Sequence, residues 1–518
     1  MNRSCWFGGR FLLIVLSILF SLAPPAQGDW VVVPDPSEPP APVDPTPVVP
    51  PVDWGMKLVR YVKPDPSGSG NGNSWDNAMG ASAFRTAVSS ASPDTYFWLA
   101  KGVYTPEPDK PFEPARGVAI YGGFKGNEKS PDGRDPKTNA TILEGSGSRV
   151  INVASVPSGE APVATGYIET AGNGKNYDLV IDGLTVTLGS WEIGGGAYFG
   201  NGSDVLARRC IFIRNDAFDG GAVFLDENVT FDAEGCIFSN NTCKIGGGSV
   251  FIKRTAKFTS KNCTFKSNGQ DKATVLGGAV IVLGDASFTA DGCTFEANSS
   301  MFGGAVSVWP GGEFTAQNCT FAGNTAFKGG ALYHEGNSKI INCTFYDNKA
   351  DEKNNGQSAF LSSNKGGFKA VNSIFWGKSI LPPVHGLWKE IVSGETPNLA
   401  EISYCIIKGG YDGNDAANHI SNKDPKLGEL KFYGGPTETM TLLAGSPAID
   451  AGTSKGAPKT DQRGIERPQG SGIDIGAFEL VPLSGGGGCS TVESGVMFVF
   501  LPLPLACLLP KRSRQRGL

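Results

Sequence analysis

Charge is what this chain has least of. Only 18% of its 518 residues are Asp, Glu, Lys or Arg, the net charge is −5 and the pI lies near 5.5. There is no basic surplus to neutralise a phosphate backbone, so composition gives no reason to expect nucleic acid as a partner. Histidine is scarcer still: there are three, and none recurs at a repeated position, whereas metal ligation needs converging ligands of mixed position. The interior shows no 3.6-residue period and little leucine, which argues against a leucine-rich or helical solenoid. Glycine, by contrast, is abundant at 71 residues, and there are eleven cysteines.

Six of those cysteines open a repeated phrase, Cys-x-Phe-x-x-Asn. It runs Cys210-Ile-Phe212 to Asn215, Cys236 to Asn241, Cys263 to Asn268, Cys293 to Asn298, Cys319 to Asn324 and Cys343 to Asn348. Successive cysteines stand 26, 27, 30, 26 and 24 residues apart. A fixed period of this size marks a solenoid, in which each repeat buries its apolar face only against its neighbours.

Within a repeat, Cys and Phe at i and i+2 share the inward face of a short strand. Phe231, Phe258, Phe288 and Phe314 lie five residues before a cysteine, and that odd offset demands a turn between them. Gly235, Asn262, Gly292, Asn318 and Asn342 sit at the turn and tolerate its left-handed conformation. Gly220-Gly221, Gly247-Gly248, Gly277-Gly278, Gly303-Gly304 and Gly329-Gly330 mark a second corner, followed by period-2 pairs such as Val223/Leu225 and Val306/Val308. Two corners and three short strands per coil predict an all-β fold, a single-stranded right-handed parallel β-helix. Stacking turns phenylalanines and cysteines into inward ladders and the asparagines into a ladder of hydrogen-bonded amides. In-register side chains suit the S–S dihedral badly, so the cysteines, with Cys405 continuing their column, read as small buried groups.

The ends carry different chemistry. Residues 1–28 read as a secretory signal, with Arg3 and Arg10, the apolar run Phe11–Ala23 and the small-x-small site Ala26-Gln27-Gly28. Residues 29–55 are a proline-rich linker, a stiff extended spacer that cannot pack a core. Residues 56–150 form an amino-terminal cap and first coils, with an amphipathic helix over 77–91 presenting Phe84 and Val88. Residues 151–432 are the β-helix repeats and 433–483 a closing segment. Residues 484–518 hold Gly485–Gly488 with Cys489, an apolar stretch from Gly495 to Pro510, and a basic tail at Lys511, Arg512, Arg514 and Arg516. That tail resembles the cysteine-containing, Synergist-type sorting signal of bacterial surface proteins. The resemblance implies Gly488 and Cys489 as the point of processing or anchoring, with membrane contact only before processing.

Other stretches carry further resemblances. Asn73-Ser-Trp75, Lys101-Gly-Val-Tyr104 and Tyr121-Gly-Gly-Phe-Lys-Gly-Asn-Glu128 look like the first coils of bacterial right-handed β-helix surface proteins. Ser446-Pro-Ala-Ile-Asp450-Ala-Gly452, Asp461-Gln-Arg463-Gly464, Arg467-Pro468 and Asp474-Ile-Gly-Ala-Phe-Glu479 resemble their closing segment, of the choice-of-anchor type. Asp450, Asp461, Arg463, Arg467 and Asp474 would then pair as a polar cap over the last coil. Over 194–348 the paired Gly-Gly-Ala-[Val/Leu] and Phe-x-x-Asn signatures resemble the polymorphic outer membrane proteins of chlamydiae, which implies adhesion. This chain departs from them in having no barrel after residue 480.

Three function classes follow. If the aliphatic residues after Gly-Gly point inward, Phe224, Phe251, Ile281, Ser307 and Tyr333 point outward with Trp309 beside them, an exposed stripe suited to stacking on sugars. That favours a non-catalytic, adhesin-like or glycan-binding monomer at the cell surface, without cofactor or metal, whose partner is a polysaccharide or cell-surface ligand. A polysaccharide lyase or glycoside hydrolase is the alternative. Its polygalacturonase motifs (Asn-Thr-Asp, Asp-Asp, Gly-His-Gly) are missing, and Asp219, Asp226, Asp285 and Glu313 share no face. Catalytic carboxylates would then have to come from loops at 351–365 or 378–400. A structural coat protein is the third class.

Overall fold

The left-handed residue that the odd Phe-to-Cys offset demands is present coil after coil. Arg209, Gly235, Asn262, Gly292, Asn318, Asn342, Asn372 and Tyr404 have φ between 46° and 64°. The Gly-Gly corner is there too, with Gly220, Gly247, Gly277, Gly303 and Gly329 at φ 59° to 68°. A further corner precedes the ladder asparagines, where Arg214, Asn240, Ser267, Ala297, Gly323 and Asp347 have φ 52° to 63°. Among the described residues six coils therefore have a fourth strand beside the three expected. The extra one escapes the sequence period because the residue that starts it has no fixed identity.

The computed structural model describes residues 57–155, 168–169, 175–269, 276–350, 360–362, 366–377, 391–392, 400–410 and 418–482. One coil runs Thr230–Glu234 in sheet I, Ile237–Ser239 in sheet II, Thr242–Gly246 in sheet III and Val250–Ile252 in sheet IV. The chain then returns to sheet I at Lys257–Lys261. Among the described residues sheet I has 12 strands, sheet II 11 and sheet IV 9, while sheet III comprises two three-stranded pieces. Neighbouring strands within these sheets pair in parallel and in register, as in Phe231↔Phe258↔Phe288↔Phe314. The fold is a parallel β-helix.

Register turns each position into a column. Phe212, Phe238, Phe265, Phe295, Phe321, Phe345 and Phe375 stack with ring centroids 4.3–5.0 Å apart. Phe258 and Phe288 of the second column meet them edge-on at 6.3–6.4 Å. Each such pair contributes about 0.5–1.5 kcal/mol beyond area burial. The amide ladder forms as expected: Asn268 Nδ2 donates to Asn298 Oδ1 at 2.9 Å and to Phe238 O at 2.9 Å. Its Oδ1 accepts both Asn241 N and Asn241 Nδ2, so the whole amide is satisfied.

All eight described cysteines are buried free thiols. Cys405 does continue the column, after Ser373. The column needs a small group that also bonds: the N–H groups of Cys236, Cys263 and Cys293 each point at the next thiol at 3.4 Å. Ser373 plays that part with a hydroxyl, 3.1 Å from Cys343 N. Burial pushes the Cys405 thiol up to about 12, which keeps it protonated and inert.

The two ends of the body are treated differently. Helix Ala81–Ser89 plugs the first coil, its Phe84 ring 5.3 Å from both Phe97 and Phe112. The closing segment forms a polar network, but along the side of the solenoid, against sheet II. That face presents Thr294, Thr320, Thr344, Ile374 and Ile406 in register, and these match the segment's own groups. Gln462 bonds Thr294 Oγ1 and Thr320 Oγ1, Thr344 Oγ1 accepts Ala477 N, and Ile374 and Ile406 pack with Leu442, Ile475 and Phe478. Within the network Arg467 pairs with Glu479 at 2.7 Å rather than with an aspartate, and Arg463 pairs with Asp461. Burial raises Asp474 to about 6 despite the N–H groups of Leu480 and Asp450 that it accepts.

Candidate functional site

Sheet IV places Tyr198, Phe224, Phe251, Ile281, Ser307 and Tyr333 in one outward column. Their neighbours Val223, Leu225, Val250 and Ile252 join the interior core, as the alternation predicts. The exposure expected of this stripe is corrected, however. Phe224, Phe251, Tyr333 and Trp309 are only 6, 8, 7 and 9% exposed. The cause is the fourth strand, because sheet III folds back over the outer face of sheet IV. Phe302 of sheet III lies 5.1 Å from the Tyr333 ring, and a Cβ on Gly246 would meet Phe251 at 3.4 Å. Trp309 turns its Nε1 to Ser307 Oγ at 3.0 Å.

The column opens at its amino-terminal end. Tyr198 stacks on Phe224 at 5.8 Å and is only half covered. Trp191, in the first strand of sheet III, is 39% exposed. Between the two rings lies the Arg149 guanidinium, 4.9 Å from Tyr198 and 5.7 Å from Trp191. It donates to Asn152 Oδ1 at 2.9 Å and Ile193 O at 2.8 Å, while its Nε has no partner among the described residues. Asn152 in turn donates to Glu113 at 2.9 Å. The Tyr198 hydroxyl donates to Asp226 Oδ2 at 2.6 Å. Burial would raise Asp226, but the Lys253 ammonium at 2.7 Å and the tyrosine hydroxyl outweigh it and hold the carboxyl below its usual range. The sequence hides this cluster because Gly194-Gly-Gly-Ala-Tyr198 is a Gly-Gly-Ala copy lying before the first Cys-x-Phe phrase.

An exposed indole beside a planar guanidinium and an amide is a surface that stacks on the C–H face of a sugar ring and bonds its hydroxyls. Other acids are placed less suggestively. Asp219 in sheet III is pushed to about 6 by desolvation, and its Oδ1 has no partner among the described residues. Among those residues no three His, Cys, Asp or Glu side chains gather where a metal ion would sit. Apart from three short strand pieces, the loops at 351–365 and 378–400 lie outside the described residues, as do the signal, the linker, Gly488 and Cys489.

A family model described as right handed beta helix region matches residues 166–295 and 244–388. Among solved structures, pectate lyase Pel9A is similar at 15% identity and a TM-score of 0.49, over 82% of this chain and 96% of that one. The PL6 family alginate lyase AlyGC is similar at 12% identity and a TM-score of 0.28, over 79% of this chain and 58% of that one. Likenesses this distant transfer neither residues nor activity. No curated protein matches the chain.

Proposed function

We propose that this chain is an exported, surface-attached β-helix that binds a cell-surface polysaccharide without degrading it, as an adhesin-like monomer. The observation that carries the reading is the Trp191–Arg149–Tyr198 platform, an exposed indole continuous with a rigid column of stacked rings. Rigid aromatics lose little side-chain entropy on binding, and here the solenoid already holds them in place. The amino-terminal signal, the proline-rich spacer and the Gly488-Cys489 tail support delivery of the body to the outside of the cell. Affinity electrophoresis through gels carrying a panel of acidic and neutral polysaccharides tests it. The native protein is expected to be retarded by at least one polymer, and Trp191→Ala to weaken that retardation about fivefold, since one aromatic stack contributes about 1 kcal/mol. Equal retardation of both proteins would refute the platform.

A further inference from the structure

Along the corner between sheets I and II the left-handed residues form a column of their own. At its far end the closing segment satisfies the amides with backbone. Asn372 Nδ2 donates to Thr453 O at 2.7 Å, and its Oδ1 accepts Thr453 N at 2.8 Å. Asn342 Nδ2 donates to Asp474 O at 3.1 Å. Earlier in the column, at Asn318 and Asn262, the segment stands away and leaves a cleft of about 310 Å³. Asn262, Asp291 and Asn318 form one wall, and Asp461 and Arg463 stand across from them.

Asn318 is only 3% exposed, yet its Oδ1 has no partner among the described residues. Its Nδ2 reaches Asp291 Oδ1 at 3.5 Å. A buried acceptor left without a donor is destabilising, so this wall is suited to receive a donor. Asn262 adds a second amide oxygen, positioned over Gly292, where a Cβ would come within 2.5 Å of it. Lys261 adds an ammonium on the same wall, near enough to Asp291 to act on its carboxyl. Across the cleft Asp461 is already held by Arg463 at 2.7 Å. Two carboxylates and two cations balance, which disfavours a charged ligand. A phosphate or sulfate brings no donor for Asn318, and a divalent cation would sit beside Lys261 and Arg463. Adjacent hydroxyls of one sugar ring donate to the amide oxygens and accept from Lys261 at once. A cleft of this volume is at the small end of ligand sites, about 300–1,000 Å³.

We propose that this cleft is a second site, separate from the Trp191 platform, that holds one neutral hexopyranose residue between the corner asparagines and the closing segment. The ring supplies to Asn318 Oδ1 the donor that Thr453 N supplies to Asn372 Oδ1. Saturation-transfer NMR on the full chain with D-glucose, D-galactose and D-mannose tests it. Transfer to at least one of the three is expected. Asn318→Gly should weaken it tenfold or more while preserving the corner, because glycine occupies the same column at Gly235 and Gly292 with φ of 60° and 64°. Should Asn318→Gly fold poorly, Asn262→Gly serves the same purpose. The comparison is made in the Trp191→Ala background, which removes the platform's own contribution to the signal. No transfer from any of the three sugars, or transfer untouched by the glycine variants, would overturn the proposal. Transfer lost with Trp191→Ala instead would assign the sugar to the platform and equally overturn it.

Discussion

At the scale of the residue, the amide ladder is tolerated in the interior because its side chains bond from coil to coil. Asn268 shows this: its four hydrogen-bonding positions are all used, which is why an amide is tolerated there at full burial. Asp219 is the opposite case, a carboxyl in a desolvated strand whose burial raises it from 3.8 to about 6. A raised carboxyl means that the folded state binds its proton more tightly than the unfolded chain does. Stability is then full below about pH 4 and falls as pH climbs through 6. Asp219→Asn removes the penalty. It should leave stability at pH 3.5 unchanged and add about 2–3 kcal/mol at neutral pH. Thermal unfolding of both proteins across that range checks it, and a pH-independent difference would contradict it.

At the scale of the element, the coil was largely legible and the fourth strand was not. The odd spacing of Phe231 and Cys236 reveals a corner because two inward residues cannot sit at odd offset on one strand. The corner before the ladder asparagine carries Arg, Asn, Ser, Ala, Gly or Asp, and such variety leaves no signature. With that corner unseen, sheet III merges into its neighbours, and the Phe224 stripe looks exposed when a strand covers it. The platform was illegible for a related reason: Arg149, in the turn before the strand Ile151–Val153, comes from a coil earlier than Trp191 and Tyr198, and all three precede the first Cys-x-Phe phrase. The corners also rank in how much they tolerate. A Cβ on Gly277 would fall 2.2 Å from Val280 O, whereas one on Gly323 meets nothing within 4 Å. Both have positive φ, so Gly323→Ala should cost only the left-handed penalty of about 1–2 kcal/mol, as Ala297 already accepts in the equivalent corner. Gly277→Ala should cost clearly more, because backbone must move. Similar melting temperatures for the two variants would count against this account of the corner.

At the scale of the whole molecule, stability is a sum of local interfaces, as in other solenoids. The closing segment is one such interface, and its motifs were readable although their place was not. The sequence shows arginines and acids that pair, but not that a threonine face on sheet II would draw them to the side. Arg467 holds the segment itself together, bonding Glu479, Asp474 O and Gly476 O while buried. Arg467→Met strands Glu479 as an unpaired buried charge, which costs about 3–5 kcal/mol. Hydrogen exchange should then speed up across 433–482 and stay unchanged in the coils from Cys210 to Asn268. Uniform acceleration would show that the segment holds the entire solenoid together.

The central claim is that the solenoid binds a polysaccharide and leaves it whole. The most direct measurement incubates the protein with acidic and neutral polysaccharides, with and without calcium, and follows both retention and polymer chain length. The account predicts retention of at least one polymer with no shortening and no new unsaturated ends. Shortening of any polymer, or retention of none, would contradict it.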